Sequence, residues 1–317
     1  MPSDNYPYAV GRVKLIENSL LDRSKLLRLR ELNYFEALKQ LVDWGYAADY
    51  PVKTDPDALI DFRRAEVRSI VYDITPNPGL TDLFYLDMDA TNIKLLLKSR
   101  LLGGEELADE ALSKGVFDVS LLRAMVAEKS YSELGEPLCS AMSQLEETLT
   151  HHVEPRLLSA AVDNAFFSYI QSSLRKNKNE FCKRYFTSKI DFTNVLSVLR
   201  ARELHWDKSD FEPMIVCGGD IDRNALLDAV IADEDKLPAM LGVGENGDSI
   251  KKALGLYMGG SLEEARDMIN ESLLSLARDE RFDSFGIGPI AYFMLASEHE
   301  FRTLRVLFAK KRSDKTK

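Results

Sequence analysis

The sequence predicts an all-α protein built from three related helical modules, and three observations carry that prediction. Apolar residues recur at three- and four-residue spacing through nearly all of the 317 residues. Alternating apolar runs bounded by hairpin turns, the mark of strands, are missing. A stretch from Asp87 to Arg100, DMDATNIKLLLKSR, is echoed from Lys189 to Arg202 as KIDFTNVLSVLRAR.

Taken in order, the first stripe consists of Val10, Val13, Ile16, Glu17 and Leu20. Leu26, Leu27, Leu29 and Leu32 resume it after Asp22-Arg23-Ser24, a good N-cap region because a short side-chain oxygen can accept from the free N–H groups of a first turn. Helices are interrupted where proline or glycine cannot continue them: Tyr50-Pro51 through Asp55-Pro56, Thr75 through Gly79, Leu102-Gly103-Gly104, Cys217-Gly218-Gly219, and Gly242 through Gly247. The segment VYDITPNPGLTDLFYLD gathers Tyr72, Leu80, Leu83, Phe84 and Tyr85 for packing between helices. At Gly286-Ile287-Gly288-Pro289 the proline suits a first helical turn, so a long helix should follow. The tail KKRSDKTK is expected to fray.

The echo is a repeat. Asp89, Thr91, Asn92, Ile93, Leu97, Lys98 and Arg100 match Asp191, Thr193, Asn194, Val195, Leu199, Arg200 and Arg202 at one constant offset, and Phe84 and Met88 match Phe186 and Ile190 at the same offset. GVFD, from Gly115, matches GDID, from Gly219, after a slip of two. A third copy, EFRTLRVLFAKK, brings Glu300, Thr303, Leu304, Leu307 and Lys311 into register near the C-terminus. The remainder of that copy lies at the other end, where LLDRSKLLRLRELNYFEAL resembles VFDVSLLRAMVAEKSYSEL. The expected domains are therefore 1–52 with 260–317, 53–153, and 154–259. Three such modules, one closed by both termini, imply pseudo-threefold symmetry.

On a helix, Asp89 and Asn92 share a face, and the basic residues of the last turn suit the dipole there. Two uses are open. The acid and amide stabilise the fold, with Asn92 satisfying a nearby backbone group, or the three polar sets line a socket for a partner. No catalytic constellation emerges: GxSxG, HExxH and CxxC are absent. His151 and His152 are adjacent and diverge on a helix, His205 stands beside Trp206, and Glu298, His299 and Glu300 fan apart, so no metal site or cofactor site is expected. GVGENG lacks the GK[ST] ending of a phosphate loop and reads as a flexible linker. The basic run LRKNKNEFCKR, from Leu174, is either a solvated helix end or a docking face for an acidic partner.

A formal net charge of −10 argues against a binder of nucleic acid or anionic membranes. The 3 cysteines are dispersed, which fits a reducing compartment. No apolar run is long enough to cross a membrane. A helical enzyme with a site of dispersed Asp, Glu and His is the catalytic alternative, and bound metal or a perturbed carboxylate pair would mark it.

Three segments resemble one family, the C subunits of the prokaryotic V-type or A-type ATPases or ATP synthases, related to the d subunit of the vacuolar pump. They are YPYAVGRVKLIENSLL, DATNIKLLLKSR with its echo DFTNVLSVLRAR, and GPIAYFMLASEHEFRTLRVLFAKK. The last resembles the family pattern G-P-[IL]-x-x-Y-x-x-A-[KR]-E-x-E-[IL]-x-x-[IL]-R, departing at Ser297, Thr303 and Ala309-Lys310. The resemblance implies a funnel of three helical domains with no active site and no cofactor. It implies a place between a rotor shaft, made of the D and F subunits, and a membrane proteolipid ring, at the cytoplasmic face and without insertion into the bilayer. The shaft-contact candidates are then Asp89, Asn92, Arg100, Asp191, Asn194, Arg202, Glu300, Thr303 and Lys311. An adaptor that binds a peptide or protein in a concave helical face is the alternative.

Overall fold

The computed structural model describes residues 6–103, 107–108, 111–151 and 155–315, and these are helical with no β-strand among them. Gly104, His152 and the last two residues of the expected tail lie outside the described residues. The helices are α1 (Tyr6–Ile16), α2 (Arg23–Glu31), α3 (Tyr34–Asp43), α4 (Pro56–Ile74), α5 (Pro78–Thr81), α6 (Leu86–Leu102), α7 (Val119–Glu128) and α8 (Leu138–His151). They continue as α9 (Pro155–Lys176), α10 (Glu180–Glu203), α11 (Lys208–Phe211), α12 (Arg223–Ile231), α13 (Leu237–Leu241), α14 (Gly247–Met258), α15 (Leu262–Asp279) and α16 (Gly288–Lys315). Two compact units result, Met1–Thr81 with Ala277–Lys317, and Asp82–Leu276.

Helix starts follow the sequence closely. Asp22, Asn33, Asp55, Asp118, Asn179, Asp207 and Asp222 each cap a helix by accepting a first-turn backbone N–H. Gly103 ends α6 at φ 64°, in the left-handed region that a side chain disfavours.

In the first unit α16 packs along α4 and also meets α1 and α3. Val13, Leu29, Leu41, Leu59, Ile60, Phe293, Phe301 and Phe308 form its fully buried interior. Arg64 pairs with Glu298 at 3.0 Å, Arg305 with Asp61, and Arg312 with Asp57 at 2.6 Å. As one partner descends α4 the other climbs α16, so the two helices run antiparallel. The expectation of a frayed tail is corrected here: α16 continues to Lys315, its last turns held by Arg312 on Asp57 and by Lys311 on the Arg30 carbonyl at 3.0 Å.

In the second unit α6 packs on α7 and α9, and α10 on α12, α9 and α14. Phe192, Val195, Leu199, Phe211, Leu226, Leu254 and Ile269 join one core beneath α10. Leu80, Leu83, Phe84 and Tyr85 are buried as expected, but Tyr72 is half exposed, because the outer face of α4 carries it away from the interior. GVGENG is a packed turn rather than a flexible linker. A Cβ at Gly247 would stand 2.7 Å from the Gly242 carbonyl oxygen, and buried Asn246 donates to Ser188 Oγ at 2.9 Å.

Equivalent positions of the first two copies touch. The Phe84 and Phe186 rings lie 5.1 Å apart, and Lys189 pairs with Asp87, the residue one repeat earlier at the same register. The start of α6 therefore lies against the first half of α10.

Candidate functional site

The repeated acids and amides are buried, the basic ends are half-buried, and acid and base play the same parts in each copy. In the first copy Asp89 is fully buried on α6 and accepts from the backbone N–H of Val116 at 2.7 Å and of Phe117 at 3.2 Å. Asn92 donates to the Ser113 carbonyl at 2.6 Å and accepts from the Ser113 N–H at 3.0 Å. One side-chain amide thereby satisfies both polar groups of a loop residue that no helix or sheet serves. Arg100, eleven residues beyond Asp89, donates to the Val126 carbonyl near the end of α7 and grips Glu146 of α8 with bonds of 2.8 and 2.7 Å.

The second copy repeats this on α10. Asp191 accepts from Ile221 N–H at 3.0 Å, and Asn194 exchanges two bonds with Val216, 2.9 Å as donor and 2.8 Å as acceptor. Arg202 donates to the carbonyls of Ala229, Val230 and Ala232 at 2.7, 3.2 and 2.8 Å, where α12 ends. In the third copy Glu300 of α16 accepts from Leu21 N–H, and Lys311 donates to the carbonyls of Arg30 and Leu32 where α2 ends. Thr303 turns back on its own helix and donates to the His299 carbonyl at 2.8 Å.

Phe117, Ile221 and Leu21 each immediately precede the N-cap of the short helix that follows, Asp118, Asp222 or Asp22. Each long helix therefore holds a parallel short helix at both ends, an anion at its positive N-terminus and a cation at its negative C-terminus. Eleven residues of helix span about 16 Å at 1.5 Å per residue, and a nine-residue helix about 13 Å, so acid and base are spaced to clasp it. Each set of candidates thus bonds within its own copy of the repeat. Eight of the nine candidates belong to clamps, in which each already has a partner within the protein, while Thr303 bonds to its own helix.

Burial sets the electrostatics. Desolvation raises Asp191 to about 6 against the lowering effect of its bond from Ile221, and raises Glu300 to about 7 against that of Leu21. Tyr131 donates to Glu146 at 2.5 Å, and burial first, then that carboxylate, push its hydroxyl upward.

Glycine makes the Asp approach possible. A Cβ at Gly115 would lie 2.0 Å from Asp89 Oδ1, and one at Gly219 would lie 2.2 Å from Asp191 Oδ1. The sequence displayed these glycines in GVFD and GDID, but their purpose shows only once the carboxylate is seen against the backbone. Glu146 had no such signal, because it lies on α8, outside the aligned copies.

Among the described residues no group of three His, Cys, Asp or Glu could hold a metal ion, and no helix is long and apolar enough to cross a membrane. The sequence model of one family, described as ATP synthase (C/AC39) subunit, matches residues 9–316. The chain is 25% identical to the C subunit of the A-type ATP synthase of Methanothermobacter thermautotrophicus, over 98% of this chain and 85% of that protein. It is 24% identical to the one from Desulfurococcus sp. strain SY, over 95% and 85%, and 21% identical to the one from Pyrococcus horikoshii, over 98% and 88%.

Proposed function

Since this chain belongs to the ATP synthase (C/AC39) subunit family, we propose that it is a non-catalytic central-stalk subunit of a rotary ATPase or ATP synthase. In this reading it couples a shaft, made of the D and F subunits, to a membrane proteolipid ring, as a peripheral protein at the cytoplasmic face. The observation that carries the reading is the family match over residues 9–316, nearly the whole chain.

The clamps support it on physical grounds. A coupling between two rotating parts has to keep its shape under shear, and a helix fastened only by apolar contacts can slide along its neighbour. Directional bonds at both ends oppose that sliding. The meeting of Phe84 with Phe186 and of Asp87 with Lys189 supports a rotational arrangement of modules, as a funnel requires, and the module boundaries in this reading lie near 52/53, 153/154 and 259/260. In this reading the nine repeated residues remain the shaft-contact candidates, and the clamps hold in place α2, α7 and α12, whose outer sides carry exposed residues such as Arg28, Ala124 and Asp228.

The test is a pull-down with the D–F pair and with detergent-solubilised proteolipid ring, followed by gel filtration. A single complex holding all three is the expected result. Binding to neither partner would overturn the coupling role and leave an adaptor whose ligand sits elsewhere on the helical surface.

A further inference from the structure

The basic run between α9 and α10 has no place in the clamps, and the fold does not account for it. Arg175, Lys176, Lys178, Lys183 and Arg184 face a single acid of the run, Glu180. Arg175, Lys176, Lys178 and Lys183 are all exposed, and none makes an ion pair or side-chain hydrogen bond among the described residues. Arg184 alone has an acidic neighbour, Glu245 at 3.8 Å.

Two comparisons separate fold from function here. Arg175 and Lys176 end α9, where the helix dipole welcomes cations, but Lys183 and Arg184 stand at the start of α10, where it opposes them. The equivalent corner one repeat earlier, DITPNPGLTD from Asp73 to Asp82, contains no Lys or Arg and two Asp. The repeat builds this corner without positive charge in one copy and concentrates it in the other.

We propose that the α9–α10 corner is a contact site for the headgroups of anionic lipid. The corner is a short turn between two helices, and its free cations are mostly exposed lysines, flexible point charges suited to a diffuse anionic plane rather than to one paired carboxylate. A net charge of −10 does not forbid this, because at about 0.1 M salt the Debye length is about 10 Å and a surface feels only the charge nearest to it. The acidic remainder of the chain instead orients it, corner toward the membrane. The site is independent of the rotary reading, since it is tested on the isolated chain with protein-free vesicles.

The experiment is co-sedimentation of the full-length chain with phosphatidylcholine vesicles and with vesicles containing about one third phosphatidylglycerol, at low and high salt. Expected is binding to the anionic vesicles alone, lost at high salt, and weakened about tenfold or more by the triple change K176E/K178E/K183E. These positions are exposed, and an unchanged circular dichroism melt would show that the variant is folded. The triple change R23E/R28E/R30E on α2 alters net charge equally and is expected to retain binding. Equal binding to both vesicle types, wild-type binding by the corner variant, or equal loss in the α2 variant would each overturn the site. So would capture on immobilised polyglutamate, abolished by the corner variant, without any vesicle binding, which would make the corner a dock for an acidic protein.

Discussion

The clamps of α6 and α10 and the clamp of α16 solve one mechanical problem with two sets of residues. In the first pair the acid is Asp, the backbone beneath it is Gly115 or Gly219, and Asn holds a loop residue by both its polar groups. In the third the acid is Glu, Ser19 stands at the corresponding place three residues before the N-cap, and Thr303 bonds only to its own helix. The substitutions belong together. Glu reaches one methylene farther than Asp, so the backbone need not come as close and glycine is not required. The segment before α2 is a single tight turn in which Leu20 donates to the Glu17 carbonyl at 3.1 Å, so its backbone is already satisfied and no amide is needed. The segments before α7 and α12 are longer and irregular, and there the amide replaces the missing secondary structure. A residue type in a repeat is thus set by the loop it serves as much as by its own helix.

The comparison can be broken hardest at Arg100. Replacing it with Ala leaves Glu146 buried without its cation, and the expected loss is about 3–5 kcal/mol in urea unfolding, because an uncompensated buried charge retains its full desolvation cost. Asn194→Ala should come next. It strands the N–H and C=O of Val216, each worth about 1–3 kcal/mol when unsatisfied, whereas Thr303→Val should stay within about 0.5 kcal/mol in the same assay. A result for Thr303→Val as large as that for Asn194→Ala would end the distinction between the clamps.

Gly219→Ala should cost about 1–3 kcal/mol by displacing Asp191, with Ser19→Ala nearly silent. The smallest effect is one of pH. Glu300 titrates near 7 when folded and near 4.5 when unfolded, so between those values the folded state holds the extra proton and stability falls as pH rises. Glu300→Gln keeps an acceptor for Leu21 and should flatten that part of a thermal-melt series from pH 4 to 8, mainly by removing the decline above pH 5. A slope unchanged by the substitution would locate the linkage in other buried acids, such as Asp191.

Much of this was legible in the sequence because caps and breaks are local. Asp22, Asp55 and Gly103 announce helix ends through the chemistry of their own neighbours, and spacing alone put Asp89 and Asn92 on one face. The partners of those faces were not legible. Asn92 meets Ser113 and Arg202 meets Ala229, contacts made across a returning loop, and no helical periodicity encodes a loop's path. The glycine-rich turn before α14 misled for the same reason. Glycine signals both freedom and close approach, and only the carbonyl of Gly242 against Gly247 decides between them.

The bond from Leu21 to Glu300 joins residues 279 positions apart, so the ribosome presents α2 long before it makes the helix that fastens it. During most of synthesis the nascent N-terminal segment has neither its anion nor its cation, and α2, with Leu29 as its one buried residue, cannot hold its place alone. Completion of the first unit therefore waits until α16 has been made. Protection of the Arg23–Arg30 peptide bonds from trypsin becomes a timer that reads whether α16 has docked.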